Sequence, residues 1–214
     1  VKDGDHYVVD GTKTFISSGC RADFVTTAVR TGDEGHGGIS LLVIERETPG
    51  FSVGKKLMKT GWWASDTAEL SFEGCRVPAK NLIGEENAGF VPIMQNFVSE
   101  RLALASQCVA IATLAYRESV AYARERRAFG KTLSGFQVTR HKLADMVTRI
   151  AASRALNNEL LTRFLAGTAD PGLAAMAKNT ASDMCCHVCD ARLYRIGGGT
   201  REIMNEVISK LDGY

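Results

Sequence analysis

A chain of 214 residues is long enough for one large domain or two small ones with real cores, and its 45% hydrophobic and 23% charged content is that of an ordinary soluble globular protein. A formal net charge of +2 gives no footing for a nucleic-acid or anionic-membrane partner. The apolar run from Cys108 to Ala115 is too short to span a bilayer, and Val1 begins mid-pattern without an initiator Met, a basic n-region or an apolar h-region. The start therefore reads as a cut that carries no targeting information.

Residues 1–84 read as strands. His6-Tyr7-Val8-Val9, then Asp10-Gly11, then Thr12-Lys13-Thr14-Phe15-Ile16 has the form of a β-hairpin with an Asp-Gly turn. Strands are expected next at Phe24 to Arg30 and at Ile39 to Glu45, separated by a turn-rich stretch. Phe51-Ser52-Val53 and Ala68-Glu69-Leu70-Ser71-Phe72 alternate as half-buried strands do. Several short strands with turns between them predict an antiparallel sandwich or barrel.

After Gly84 the rhythm changes, and residues 85–214 carry apolar groups at helical spacing. Asn87 is a candidate cap for a helix running toward Tyr122 or beyond. A second helix follows Ser134, with Phe136, Val138, Leu143, Met146 and Ile150 on one side. Pro171 opens a third, as proline does at a first helical turn, and Thr200 caps a fourth through Ile203, Val207 and Leu211. The expected fold is α+β and multidomain, an antiparallel β-barrel or sandwich followed by an antiparallel α-helical bundle.

Six scattered or clustered cysteines do not make a disulfide scaffold. Cys185, Cys186 and Cys189 gather around His187, a pattern open to zinc or redox chemistry. No second Cys-x-x-Cys exists to close a zinc site, however. Cys185 and Cys189 share a helical face, where free thiols pack as small hydrophobes. Packing without metal, in a reducing compartment, is the expectation.

One carboxylate stands inside an otherwise apolar stretch, Ser99-Glu100-Arg101-Leu102-Ala103-Leu104-Ala105. Neither Asn96 nor Leu104, four residues to either side, is basic, and the adjacent Arg101 does not share its face. A carboxylate held against apolar surroundings can act as a general base, although a solvated helix residue is the plainer reading.

Five segments in this order resemble the acyl-CoA dehydrogenase family. They are Phe15-Ile16-Ser17-Ser18-Gly19; Ser65-Asp66-Thr67 with Phe72-Glu73 and Val77-Pro78; and Gly84-Glu85-Glu86-Asn87-Ala88-Gly89-Phe90. Arg126-Arg127-Ala128-Phe129-Gly130-Lys131 with Gln137, and Tyr194-Arg195-Ile196-Gly197-Gly198-Gly199-Thr200, complete the set. The resemblance covers essentially the whole chain. It implies a middle β-domain (1–84) and a C-terminal helical-bundle domain (85–214). The implied reaction is FAD-dependent dehydrogenation of an acyl-CoA thioester to the trans-2-enoyl-CoA, part of fatty-acid β-oxidation. A carboxylate removes the α-proton and the β-hydride leaves to flavin N5. Most members carry that carboxylate before the Gly-Thr of the last loop, where this chain has Gly198. The isovaleryl and long-chain branches carry it on the first C-terminal helix in a Glu-Arg-Leu context, and Glu100-Arg101-Leu102 matches. The exchange makes Glu100 the implied base.

Further roles follow from the same likeness. Ser17 would give its hydroxyl to flavin N5 with Phe15 beside the ring, and the Gly198 backbone N–H would polarise the thioester carbonyl. Arg126, Phe129 and Gln137 resemble residues that hold the pyrophosphate and adenosine of a neighbouring subunit's FAD, with guanidinium suited to phosphate. Thr200 and Glu202 would contact the cofactor or cap a helix. Arg101 and Phe97 lie where the acyl-CoA would bind. The implied partners are the acyl-CoA substrate, an electron-transfer flavoprotein and further copies of the chain in a homotetramer or homodimer, in bacterial cytoplasm or mitochondrial matrix.

The pattern also departs from the family. A Thr-x-Pro-x-x-Gly-Ser-Asp motif and a helical domain would precede Val1. About two dozen residues with a Gln-x-x-Gly-Gly-x-Gly segment would separate Asp190 from Ala191. Ser18 stands where the family has Asn. These gaps keep two other readings open, an acyl-CoA oxidase and a non-catalytic scaffold that binds no FAD.

Overall fold

A computed structural model describes the backbone of residues 1–196 and the side chains of residues 1–189. The fourth helix expected from Thr200 lies outside the described residues. The chain divides into two compact units, Val1–Met94 and Gln95–Tyr214.

The first unit holds two antiparallel sheets. One has the strand order β1 (Lys2–Asp3), β2 (His6–Ser17), β6 (Thr67–Pro78), β5 (Phe51–Lys56). The other has the order β3 (Phe24–Arg30), β4 (Ile39–Glu45), β7 (Leu82–Ile83). Tyr7, Val9, Leu42, Ile44, Leu70, Phe72, Cys75 and Val77 from both sheets form one core. The arrangement is a sandwich, and neither sheet closes into the barrel that was the other expectation.

Alternation explains which side chains reach that core. Ser40, Leu42 and Ile44 of β4 are buried, as are Ala68, Leu70 and Phe72 of β6. On β6 the phase then slips by one, to Cys75 and Val77. The slip sits where Val9 pairs with Cys75 but Gly11 pairs with Phe72, so Glu73 and Gly74 together oppose Asp10. Such a bulge flips the face of every later side chain.

That bulge also corrects the expected hairpin. His6 to Ser17 is a single strand, because β6 is long enough to pair with both halves of it. Asp10 closes no turn; its carboxylate accepts the Gly74 N–H at 2.6 Å.

Asn87 does not cap the following helix either. It sits at φ 68, its N–H donates to Ser40 Oγ at 2.7 Å, and its Oδ1 accepts from the Thr31 hydroxyl at 2.7 Å. Its amide thus ties the loop after β3 to the chain entering the helix, which begins three residues later.

The second unit is helical. After α1 (Phe90–Glu125) comes a small hairpin of β8 (Arg127–Ala128) and β9 (Lys131–Thr132), then α2 (Gln137–Leu165) and α3 (Pro171–Ile196). Val98, Leu102, Ala105, Val109 and Ala112 of α1 recur at three- and four-residue steps, as do Met146, Ile150, Ser153, Asn157 and Leu160 of α2. Ala174, Ala177 and Ala181 let α3 approach closely, and all three helices share one core. Phe136 precedes α2 and Val138 is exposed, so only Leu143, Met146 and Ile150 of the expected stripe turn inward. Pro171 does open α3, and Asp170 caps it by accepting the Gly172 and Leu173 N–H groups at 2.7 and 3.1 Å. By length and composition α1 could cross a membrane; its apolar side is accounted for by the bundle core it helps to form.

Candidate functional site

The expected site residues fall into three groups, one on the β-unit and two on the helical unit. On the β-unit, Ser17 ends β2 opposite Thr67, the first residue of β6. Just before it Lys13 pairs with Leu70 but Ile16 pairs with Ala68, so Thr14 and Phe15 together face Glu69. This second bulge turns Phe15 outward: it is 77% exposed at φ 62, a strained conformation for a bulky residue. Ser18 follows at φ 61, and Trp62, on the loop that leads back into β6, sits at φ 58. Trp62 and Trp63 are exposed, and Trp63 donates its indole N–H to the Lys59 carbonyl at 2.7 Å. The Ser17 hydroxyl is exposed and has no hydrogen-bond partner among the described residues. Three strained non-glycine residues and an open hydroxyl thus mark one loop-and-strand-end region. Strain of this kind costs on the order of 1–3 kcal/mol per residue and gathers at ligand sites.

In α1, Glu100 is exposed, in keeping with the plainer reading of its segment as a solvated helix position. Asn96, one turn earlier, donates its amide N–H to Glu100 Oε1 at 2.7 Å. Arg101 turns to its own neighbour one turn back, its guanidinium 5.4 Å from the centre of the Phe97 ring. Each of the two adjacent charges therefore has a separate partner, and they do not neutralise one another. Gly198, Thr200 and Glu202 lie outside the described residues.

The third group gathers beyond the C-terminal end of α1. Phe129 and Gly130 hold the two central positions of the β8–β9 turn at φ 49 and 81, the backbone of a tight two-residue hairpin. Phe129 is 80% exposed at its tip. Arg126 is exposed, and its carbonyl accepts the Leu133 N–H at 2.8 Å, which anchors the hairpin to the helix end. Gln137, the first residue of α2, is exposed, with its amide 3.5 Å from His141 Nε2. Arg124, Arg127 and Arg140 are also exposed in this stretch. The corner offers guanidinium groups and an uncovered aromatic ring, a donor set that fits a phosphate-bearing nucleotide. Taken separately, this corner and the open hydroxyl beside Phe15 on the β-unit each offer donors of the kind FAD accepts. Along α1, 26 residues from Glu100 to Arg126 at 1.5 Å each place these two groups roughly 39 Å apart.

The thiol cluster belongs to α3, which carries none of the three groups. Cys185 and Cys189 approach to 3.8 Å between sulfurs; both are half-buried and Cys189 packs against the bundle core, while Cys186 is exposed. Burial pushes the Cys185 thiol up to about 11. Among the described residues no group of three or more His, Cys, Asp or Glu side chains is arranged to hold a metal ion.

Comparison with known proteins gives two family models, "Acyl-CoA dehydrogenase, middle domain" over residues 1–75 and "Acyl-CoA dehydrogenase, C-terminal domain" over residues 87–191. The chain belongs to the acyl-CoA dehydrogenase family. Of the curated relatives, the mitochondrial long-chain specific acyl-CoA dehydrogenase of Rattus norvegicus is 37% identical, with 98% of this chain and 55% of the relative covered. Of the solved structures, a probable acyl-CoA dehydrogenase from Mycobacterium abscessus matches with TM-score 0.84 and 48% identity, over 99% of this chain and 62% of that one. A structure described as the electron transferring flavoprotein of Acidaminococcus fermentans matches with TM-score 0.80 and 33% identity, over 99% of this chain and 62% of that one. The chain thus spans about half the length of the curated relatives it matches. The Rattus alignment runs over 235 positions against 214 residues, which leaves at least 21 positions of that relative without a counterpart here. The C-terminal-domain match ends at residue 191, beside the point where the family pattern is interrupted.

Proposed function

We propose that this protein dehydrogenates an acyl-CoA thioester between Cα and Cβ, with Glu100 as the base that takes the α-proton. Membership of the acyl-CoA dehydrogenase family carries the class of reaction, and the match of Glu100-Arg101-Leu102 to the helix-borne base, together with Gly198 in the loop, carries the residue. FAD, when bound, supplies the acceptor for the β-hydride. The Glu100 carboxylate, hydrogen-bonded by Asn96, has one oxygen still open to receive a proton. Closure of the site around the acyl chain would desolvate Glu100, since the chain alone leaves it exposed. Arg101 and Phe97, stacked one turn apart, flank the thioester. The Gly198 N–H donates to its carbonyl, where negative charge develops as the proton leaves. Ser17 would donate its hydroxyl to flavin N5 beside Phe15.

Arg126, Phe129 and Gln137 would hold the pyrophosphate and adenosine of FAD bound to a neighbouring copy. The roughly 39 Å between Glu100 and Arg126 favours this division between subunits. Thr200 and Glu202 add contacts to the same cofactor. An electron-transfer flavoprotein would be the partner that takes up the electrons. An oxidase, returning them to oxygen, is the second reading; anaerobic flavin reduction followed by rapid reoxidation in air would identify it.

Glu100→Gln tests the base. The variant should bind FAD and keep it oxidised when acyl-CoA is added, with a rate loss of at least about 10²–10⁴-fold, the usual contribution of a general base. Bleaching of the flavin at near the original rate would remove Glu100 from this role. A complete gene product that folds and binds no FAD would instead support the scaffold reading.

A further inference from the structure

Two separated motif segments, Ile16-Ser17-Ser18-Gly19 and Ser65-Asp66-Thr67, meet in the structure as one physical unit. Asp66 grips the turn that follows Ser17 at three points. Its backbone carbonyl accepts the Ser18 N–H at 3.0 Å, and its Oδ2 accepts the Cys20 N–H at 2.7 Å. Its Oδ1 pairs with Arg21 Nε at 3.1 Å, and the same guanidinium reaches Ser18 Oγ at 3.4 Å. The Asp66 side chain is only 11% exposed.

On the other side, Thr67 faces Ser17 in the strand register. The Thr67 hydroxyl accepts from Lys59 Nζ at 2.9 Å, and the same ammonium donates to the Ser65 carbonyl at 2.6 Å. The turn after Ser17 and the strand end that faces it are thus bonded in place, while Ser17 itself is exposed. We propose that Asp66 is the positioning residue of Ser17: by holding the turn through both carboxylate oxygens, it aims the Ser17 hydroxyl outward at the flavin. The proposal rests on the reading of Ser17 as a flavin contact. The Cys20 N–H also holds the Asp66 carboxyl below the usual carboxylate range, so the clamp is ionised at neutral pH. An amide in its place would keep its one oxygen as acceptor for the Cys20 N–H and would turn its NH₂, a donor, toward the Arg21 guanidinium, which can only donate. A neutral isostere should therefore hold the turn only in part.

A double-mutant cycle in the complete, FAD-loaded gene product tests this. Ser17→Ala, Asp66→Ala and the combined variant would be compared by FAD dissociation constant and by the anaerobic rate of flavin bleaching with acyl-CoA. Ser17→Ala should slow bleaching roughly 10–100-fold and weaken FAD several-fold, and Asp66→Ala should do nearly as much, because misplacement by about 1 Å can cost 10²-fold. If Asp66 acts through Ser17, the double variant is no more than about 3-fold worse than Ser17→Ala alone. Losses that multiply, or an Asp66→Ala protein with an unchanged bleaching rate and FAD affinity, would overturn the assignment of Asp66. An unchanged Ser17→Ala protein would overturn the underlying reading of Ser17 instead. Should Asp66→Ala fail to fold, Asp66→Asn carries the same cycle, with an intermediate loss expected in wild-type background and none in Ser17→Ala.

Discussion

Ser18 occupies a left-handed backbone conformation at φ 61, in the turn that follows the proposed flavin-facing hydroxyl. A Cβ in this region costs an L-residue roughly 1–2 kcal/mol, and Asn is among the residues that tolerate it best. The Ser18 hydroxyl contributes little in return, since its contact with Arg21 is 3.4 Å long and exposed. Ser18→Asn should therefore stabilise the β-unit by about 0.5–1 kcal/mol. Ser18→Gly removes the strain entirely but adds freedom to the unfolded chain worth about 0.5–1 kcal/mol, so its net gain should be smaller. Ser18→Val, β-branched, should cost about 1–3 kcal/mol. In a chain of this size 1 kcal/mol moves the melting temperature by roughly 2–4 °C. Trp62 and Trp63 are the only tryptophans and both lie in this unit, so indole emission during urea or thermal unfolding reports it alone. The order of stability should be Asn, Gly, Ser, Val. A Ser18→Asn protein less stable than the original, or a Ser18→Val protein equal to it, would refute the argument from backbone strain.

Arg126→Ala should weaken FAD retention without changing the melting temperature, because an exposed charge contributes little to stability. Hybrids of Arg126→Ala and Glu100→Gln subunits should regain part of the activity that each lacks; confirmed hybrids without any would count against a shared site. The Asp66 carboxyl titrates below its unfolded value of about 3.9, so the stability it contributes is complete above roughly pH 4 and is lost as the pH falls through the lower folded value. Acid unfolding followed by indole emission should accordingly be shallower in Asp66→Asn, and identical acid profiles would refute this. With its thiol pushed up to about 11, Cys185 should resist alkylation at pH 8 while exposed Cys186 reacts, a difference that peptide mass spectrometry would read and that should vanish in urea.

Apolar and β-branched runs bounded by turn-rich stretches located β3 at Phe24–Arg30 and β4 at Ile39–Glu45, and helical spacing located most of α1, α2 and α3. These features are set by residues near in sequence, with period two for a half-buried strand and three to four for a helix face. The ordered motif segments likewise identified the family and nominated Ser17, Glu100 and Arg126 before any coordinates. Asn96, four residues before Glu100, is also readable in the sequence; it partners the carboxylate as a neutral donor and not as a base. Tertiary structure decided the rest. Asp10-Gly11 is a sound turn signal that lost to a long partner strand, because β6 offers pairing to both halves of β2. Asn87 is a sound cap signal that lost to Ser40 and Thr31, which satisfy its polar groups from a distant loop. Asp66 and Phe15 lie in motif segments, but the clamp that Asp66 forms and the strain at Phe15 have no local signature. A bulge exists only relative to a partner strand, and a carboxylate clamp only where a turn 46 residues away in sequence is brought against it.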